Sequence, residues 1–309
     1  MEPTQPLLPD IGLGSAPLGG LYESVSHDAG VETVLAAIRA GYRYIDTAPL
    51  YGYGRAERIV GDALSICDSQ VQISTKVGRL IEPGSPRPAG DMFSGTDGKF
   101  VWDFSSDGVR RSLESSLTRL GRDRIDVVFI HDPDQFVGKA INEAYVELER
   151  LRSQGLIQAI GIGMNEPTVP IRFVRDTDID VVLIAGRYTL LDQSADEELF
   201  DLATKRGVHI VAAGVFNSGI LTGAEATPHY DYAAASNALV ERTRALNRIC
   251  QQFDTDLRTA AIQFVARHPA VGTVLVGARS EAEASENLAS LGVELSEEFW
   301  TALEHASVD

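Results

Sequence analysis

The sequence predicts a (β/α)8 barrel, laid out as a single domain over residues 1–309. Three observations predict it. Short runs rich in β-branched residues alternate with longer helical patterns along the whole chain. Several helical patterns stop at a glycine (Gly41, Gly121, Gly155 and Gly207), as expected where a left-handed residue closes a helix. The strand-like runs come to eight, and at 309 residues that suits a closed barrel better than an open doubly wound sheet.

The first strand is expected at 15–19, ahead of a helix over 31–40. The second, at 42–47, ends in an acid, Asp46, and Tyr51 follows five residues later in the loop Leu50-Tyr51-Gly52-Tyr53-Gly54. A helix over 57–64 leads to the third strand, 71–77, with Lys76 near its end. Lys76 is one of only four lysines against twenty-three arginines. Residues 79–107 are rich in Gly, Pro, Ser and Asp yet carry Met92, Phe93, Trp102 and Phe104. A long loop holding aromatics after a barrel strand is expected to be a functional lid. A helix over 108–120 precedes the fourth strand, 125–131, which ends in His131. A helix over 138–154 and strands at 158–163 and 179–185 follow, then a helix over 196–206 and a strand at 208–213. A second long stretch, 217–236, precedes a helix over 237–253, and the last strand is expected at 273–277.

Composition narrows the function. A net charge of -17 argues against nucleic acid, which needs clustered Lys and Arg. No apolar run approaches the length of a membrane span, and the first residues lack the basic and apolar regions of a signal peptide. Cys67 and Cys250 stand far apart and outside any metal or redox spacing, so they read as reduced thiols of a cytoplasmic protein. The sequence sets no oligomeric state.

Asp46, Tyr51, Lys76 and His131 fall at or just beyond the ends of successive strands, where a barrel of this kind builds its active site. Strand parity groups Lys76 with Ser74 and Gln72 but leaves open which way that face looks. The set makes chemical sense. A phenol with a pKa near 10 is a poor proton shuttle at neutral pH. A neighbouring ammonium lowers that pKa, and a carboxylate keeps the ammonium charged and in place. An imidazole can orient a carbonyl or alcohol oxygen. Hydride must then come from a cofactor, because no side chain supplies one. Two other chemistries compete: a metal-dependent hydrolase using His131, Asp132 and Asp134, and a Schiff-base aldolase using Lys76. The six histidines are scattered with no His-x-His pair, so no metal is expected.

Gly41-Tyr42-Arg43-Tyr44-Ile45-Asp46-Thr47-Ala48-Pro49-Leu50-Tyr51-Gly52 resembles the signature of the aldo-keto reductase superfamily, with Lys76 and His131 where that family places its remaining catalytic members. Asp103-Phe104-Ser105-Ser106-Asp107-Gly108-Val109, His131-Asp132-Pro133-Asp134, Arg187-Tyr188-Thr189-Leu190-Leu191-Asp192 and Asn217-Ser218-Gly219-Ile220-Leu221 resemble the branch that oxidises aldoses at C1, which includes L-fucose, D-threo-aldose, L-galactose and pyridoxal dehydrogenases. The resemblance implies NAD or NADP lying across the barrel mouth rather than in a Rossmann domain. Accordingly, Gly12-Leu13-Gly14-Ser15-Ala16-Pro17 and Gly161-Ile162-Gly163-Met164-Asn165-Glu166 both fail the dinucleotide fingerprint at its last glycine.

By position, Asn165 resembles the residue that holds the carboxamide. Gly214, Val215, Phe216, Asn217 and Ser218 resemble the pyrophosphate strap, and Gly277, Arg279, Glu283, Glu286 and Asn287 the adenosine-end site. The sequence departs from the family at Ala185, where a carboxamide-binding Gln is usual, and at Ala213, where an aromatic often stacks on nicotinamide. Glu283 stands where a basic residue often receives a 2′-phosphate, while nearby Arg279 could offset it, so the coenzyme choice stays open.

The resemblance implies an NAD(P)-dependent enzyme oxidising a sugar hemiacetal to a lactone, with Tyr51 as acid and base, Lys76 lowering its pKa, Asp46 holding Lys76 and His131 orienting the substrate. Trp102 and Phe104 are expected to touch that substrate. The alternatives are an NADPH-dependent reductase of simple aldehydes and a nucleotide-binding regulatory subunit with little turnover.

Overall fold

A computed structural model of the chain describes residues 7–82, 84–86, 91–94, 97–223, 229–231 and 233–308. Eight parallel strands close into a barrel: β1 (Ile11–Gly14), β2 (Tyr44–Asp46), β3 (Gln72–Val77), β4 (Ile125–His131), β5 (Ile157–Met164), β6 (Val181–Ala185), β7 (His209–Ala213) and β8 (Val271–Gly277). Each strand pairs with its neighbours in chain order, and β8 closes on β1 with Gly14 opposite Gly277. Helices cap as the sequence suggests: Ser26, Ser105, Ser236 and Ser280 each accept a hydrogen bond from a first-turn backbone N–H. At the far ends Gly121 (φ 61°), Gly155 (φ 75°) and Gly207 (φ 68°) take up the left-handed conformation.

Two expectations need correction. The first strand lies at Ile11–Gly14, not 15–19, and Ala16–Gly19 forms a 3-10 turn. Pro17 has no N–H to give a sheet, whereas Ile11–Gly14 pair residue for residue with Val274–Gly277. The stretch 79–107 is not a plain loop either. Arg79–Glu82 and Lys99–Trp102 form an antiparallel hairpin, with Arg79 opposite Trp102. Residues 83, 87–90 and 95–96 of that stretch, like 224–228 and 232 of the second, lie outside the described residues. In the second stretch Asn217–Thr222 is a 3-10 turn, followed by a short ladder of His229–Tyr230 with Ala233–Ala234.

Two packed layers hold the barrel. The main core fills the space between strands and helices, from Leu13, Ile45 and Ile73 around to Val274. A second cluster lies inside the barrel: Tyr44, Val127, Phe129, Ala159, Val181, Leu183, Val211, Ala213 and Leu275, with Leu8 beneath. Burying each large side chain there is worth roughly 1.5–3 kcal/mol. The rings of Tyr44 and Phe129 need room. A Cβ on Gly12 would stand 2.4 Å from Tyr44, and one on Gly161 2.6 Å from Phe129. No helix among the described residues is long and apolar enough to cross a membrane.

Candidate active site

The pleat settles the face left open by sequence. Tyr44, Val127 and Phe129 point into the barrel, so by the two-residue period Asp46, Ser74, Lys76 and His131 do too. Lys76 and Asp46 are both buried, with side chains 1% and 2% exposed. Lys76 Nζ donates to Asp46 Oδ1 (2.7 Å), Asp46 Oδ2 (2.6 Å) and the Thr47 carbonyl (3.0 Å). These use all three ammonium hydrogens. Ser74 Oγ donates to Asp46 Oδ1 at 2.6 Å, and Tyr44 shares a 2.8 Å hydrogen bond with Ser74. Removing either charge would strand the other in the interior.

Tyr51 reaches this pair from the loop after β2. The loop is pressed on the turn after β1: a Cβ on Gly52 (φ 60°) would sit 2.3 Å from the Gly19 carbonyl oxygen, and one on Gly19 2.6 Å from Tyr51 backbone. Only glycines permit that approach. The Tyr51 ring centroid lies 4.8 Å from Lys76 Nζ, and the ring meets His131 edge-on at 6.2 Å between centroids. Asp46, Tyr51, Lys76 and His131 therefore converge at the C-terminal mouth of the barrel.

Their electrostatics differ from the sequence expectation. Burial pushes the Tyr51 phenol well above its ordinary value, the Asp46 and Asp132 carboxylates push the same way, and Arg79 opposes them. The expected downward pull of Lys76 does not govern Tyr51, because Asp46 compensates the ammonium at contact distance. What the phenol faces is a buried ion pair rather than a free cation. His131 is held well below the ordinary imidazole value by burial, Arg79 and Lys76, and so is neutral at neutral pH. A neutral imidazole can orient an oxygen by hydrogen bonding.

The hairpin contributes Arg79, which sequence reasoning did not single out. Its Nη2 donates to Asp132 Oδ2, and its guanidinium carbon lies 4.4 Å from the Trp102 ring centroid. Asp132, considered earlier only as a metal ligand, follows His131 and places Oδ2 3.5 Å from His131 Nε2. Trp102 is exposed at the mouth, 41% accessible, and stacks on Phe104 at 5.8 Å. Phe104 itself is 1% exposed and packs in the main core, beneath Trp102 and against Phe136. It supports the hairpin and has no surface to offer a substrate, contrary to expectation. Among the described residues no three His, Cys, Asp or Glu side chains cluster as a metal site.

The other side of the mouth is small and partly unsatisfied. The inward residues at the ends of β5 to β8 are Gly163, Ala185, Ala213 and Gly277, with Gly14 on β1. After β5 comes Asn165, exposed. After β7 the backbone turns left-handed at Gly214 (φ 63°), Asn217 (φ 43°) and Ser218 (φ 61°), with Val215 buried and Phe216 half-buried between. Asn217 is buried; its Nδ2 donates to Gly186 O at 3.2 Å while its Oδ1 has no partner. Asn287 repeats the pattern, with Nδ2 on Gly277 O at 3.3 Å and Oδ1 unpartnered. Arg279 N donates to Glu283 Oε2 at 2.8 Å, and its guanidinium pairs with Glu23 at 2.9 Å. Glu286 pairs with Arg258. Buried polar atoms without partners, beside a floor of small residues, fit an extended polar ligand such as a dinucleotide.

Comparison with known proteins agrees with this architecture. The model of the aldo/keto reductase family matches residues 10–308. A pyridoxal 4-dehydrogenase of Microbacterium luteolum is 39% identical over 95% of this chain and 92% of its own. A D-threo-aldose 1-dehydrogenase of Pseudomonas sp. is 37% identical over 97% of this chain and 94% of its own. Among solved structures, a glycerol dehydrogenase of Gluconobacter oxydans superposes with a TM-score of 0.78 at 25% identity, covering 97% of this chain and 91% of that one.

Proposed function

The chain belongs to the aldo/keto reductase family and is an oxidoreductase, and on that premise we propose that it oxidises an aldose at C1 to the lactone, with Tyr51 as proton carrier. The observation that carries this reading is the meeting of Tyr51, neutral His131 and the buried Asp46–Lys76 pair at one mouth. The two relatives whose printed names are dehydrogenases of an aldose and of pyridoxal support the substrate class and direction.

A bound nicotinamide dinucleotide supplies the hydride chemistry that side chains lack. Asn165, Gly214, Val215, Phe216, Asn217 and Ser218 would hold its nicotinamide and pyrophosphate, and Gly277, Arg279, Glu283, Glu286 and Asn287 its adenosine end. We favour NAD over NADP. Glu283 would repel a 2′-phosphate, and Arg279 cannot offset it freely because Glu23 already engages its guanidinium. Tyr51 Oη takes the proton of the anomeric hydroxyl in oxidation and returns it in reduction. His131 orients the same oxygen, and Lys76, fixed by Asp46, anchors the floor beneath the ring.

A second reading has its own support. A phenol pushed upward by burial stays protonated near neutral pH, the form that carbonyl reduction needs. An assay of coenzyme reduction across aldoses and pyridoxal, run with NAD and NADP separately, decides between them. Lactone formation with NAD is expected; activity confined to reduction of simple aldehydes would replace the first reading by the second.

A further inference from the structure

We propose that Arg79 and Asp132 form a paired donor and acceptor that reads adjacent hydroxyl groups of a neutral, polyhydroxylated substrate beside Tyr51 and His131. The proposal deepens the aldose reading and rests on it for the identity of the natural substrate, though its test does not require a sugar.

Four observations carry it. Arg79 opens the hairpin three residues after Lys76, where Gly78 (φ 106°) turns the chain over Phe104; a Cβ there would meet the Phe104 ring at 2.2 Å. Its guanidinium is held against Trp102 at 4.4 Å and Phe100 at 5.0 Å, which fixes a planar donor array at the rim. Its buried Nε has no hydrogen-bond partner, an orphan donor that a ligand oxygen would satisfy. Asp132 is fixed too. Its backbone is left-handed (φ 43°), its N–H donates to the Gly163 carbonyl at 3.0 Å, and its Oδ2 lies 3.5 Å from His131 Nε2.

The chemistry of the pair selects a ligand class. The two charges cancel, so an anionic substrate gains nothing from Arg79 and meets both Asp132 and Asp134 nearby. A plain aliphatic aldehyde offers the pair no partner. A hydroxyl both donates and accepts, so two neighbouring hydroxyls can accept from the guanidinium and donate to the carboxylate together. The pair lies beside the imidazole that faces Tyr51, so the hydroxyls it reads would be those next to the reacting carbon. A desolvated ion pair is weak evidence of a stabilising role, which leaves recognition as its better explanation.

The test uses the full chain with NADH and two three-carbon aldehydes that differ only in hydroxyls, D-glyceraldehyde and propanal. The readout is the ratio of their kcat/KM values in wild type, Asp132→Asn and Arg79→Lys. Asn tolerates the left-handed backbone at position 132, and Lys keeps the charge at 79 while losing the planar fork. Wild type is expected to prefer glyceraldehyde. Each variant should shrink that preference about tenfold to a hundredfold, mainly through KM. A ratio left unmoved, whether or not both activities fall together, overturns the proposal, because a purely structural pair would affect both aldehydes alike. If no aldose is oxidised yet the variants still collapse the preference, the aldose reading fails and the hydroxyl-reading pair stands.

Discussion

On one side of the barrel mouth β2, β3 and β4 carry Asp46, Lys76 and His131 inward, while on the other β5 to β8 carry Gly163, Ala185, Ala213 and Gly277. The Asp46–Lys76 pair is satisfied within itself: every hydrogen of the Lys76 ammonium is taken, and Asp46 accepts from both Lys76 and Ser74. The small side leaves Asn217 Oδ1 and Asn287 Oδ1 buried and unpartnered. Pre-satisfied charges do not rearrange when a substrate arrives, which is what preorganised catalysis requires. Unsatisfied polar atoms gain on meeting a ligand. On the proposed reading, the same barrel separates a half fitted for proton chemistry from a half fitted for holding a coenzyme.

The comparison can be broken by substitution. The largest effect is expected from Lys76→Met, which leaves Asp46 buried without its cation at a cost of about 3–5 kcal/mol. Thermal unfolding should show a clear fall in Tm, and turnover should be lost. A variant that stays as stable as wild type would mean the pair is not held as described.

Next comes pH. The Tyr51 phenol lies above its ordinary value, so it is protonated throughout the neutral range. Oxidation needs it deprotonated and should speed up as pH rises from 7 toward 10, while reduction needs the acid, which stays fully populated over that range, and should hold level. Initial rates in both directions check that contrast. A common plateau near pH 7 would point to another group.

On the small side the effects are milder. Glu283→Gln should move the preference toward NADP by about tenfold, the equivalent of roughly 1.4 kcal/mol, as read from the ratio of dissociation constants for the two coenzymes. Gly163→Ala should be milder still. Its Cβ would make ordinary contacts with Phe129 (3.7 Å) and Lys76 (3.8 Å), so stability should hold within about 0.5 kcal/mol. Nucleotide affinity, followed by fluorescence titration, should weaken a few-fold because the methyl group stands on the proposed floor.

Asp46, Lys76 and His131 were legible because strand ends can be read from β-branched runs, and in a barrel those ends face one mouth. Whether Lys76 looked inward was not legible. Parity ties it to Ser74, but only the packing of Tyr44 and Phe129 inside the barrel says which face is which. The spacing from Asp46 found Tyr51, yet the direction of its pKa depends on burial and on Asp46 sitting at contact distance from Lys76. Neither is encoded locally. Phe104 looked like a lid aromatic because the hairpin that buries it pairs residues 17 to 23 positions apart across a Gly- and Pro-rich stretch. The first strand was placed a few residues late because the two glycines of Ile11-Gly12-Leu13-Gly14 weaken its strand pattern until its pairing with β8 is known.

The division of the mouth is tested most directly by Tyr51→Phe, measuring turnover and the NAD dissociation constant on the same preparation. The account predicts that turnover falls by about 10²–10⁴, the usual contribution of a positioned acid–base group, while NAD binds within about twofold of wild type. Near-normal turnover with coenzyme binding intact, or losses of turnover and binding in equal measure, would contradict it.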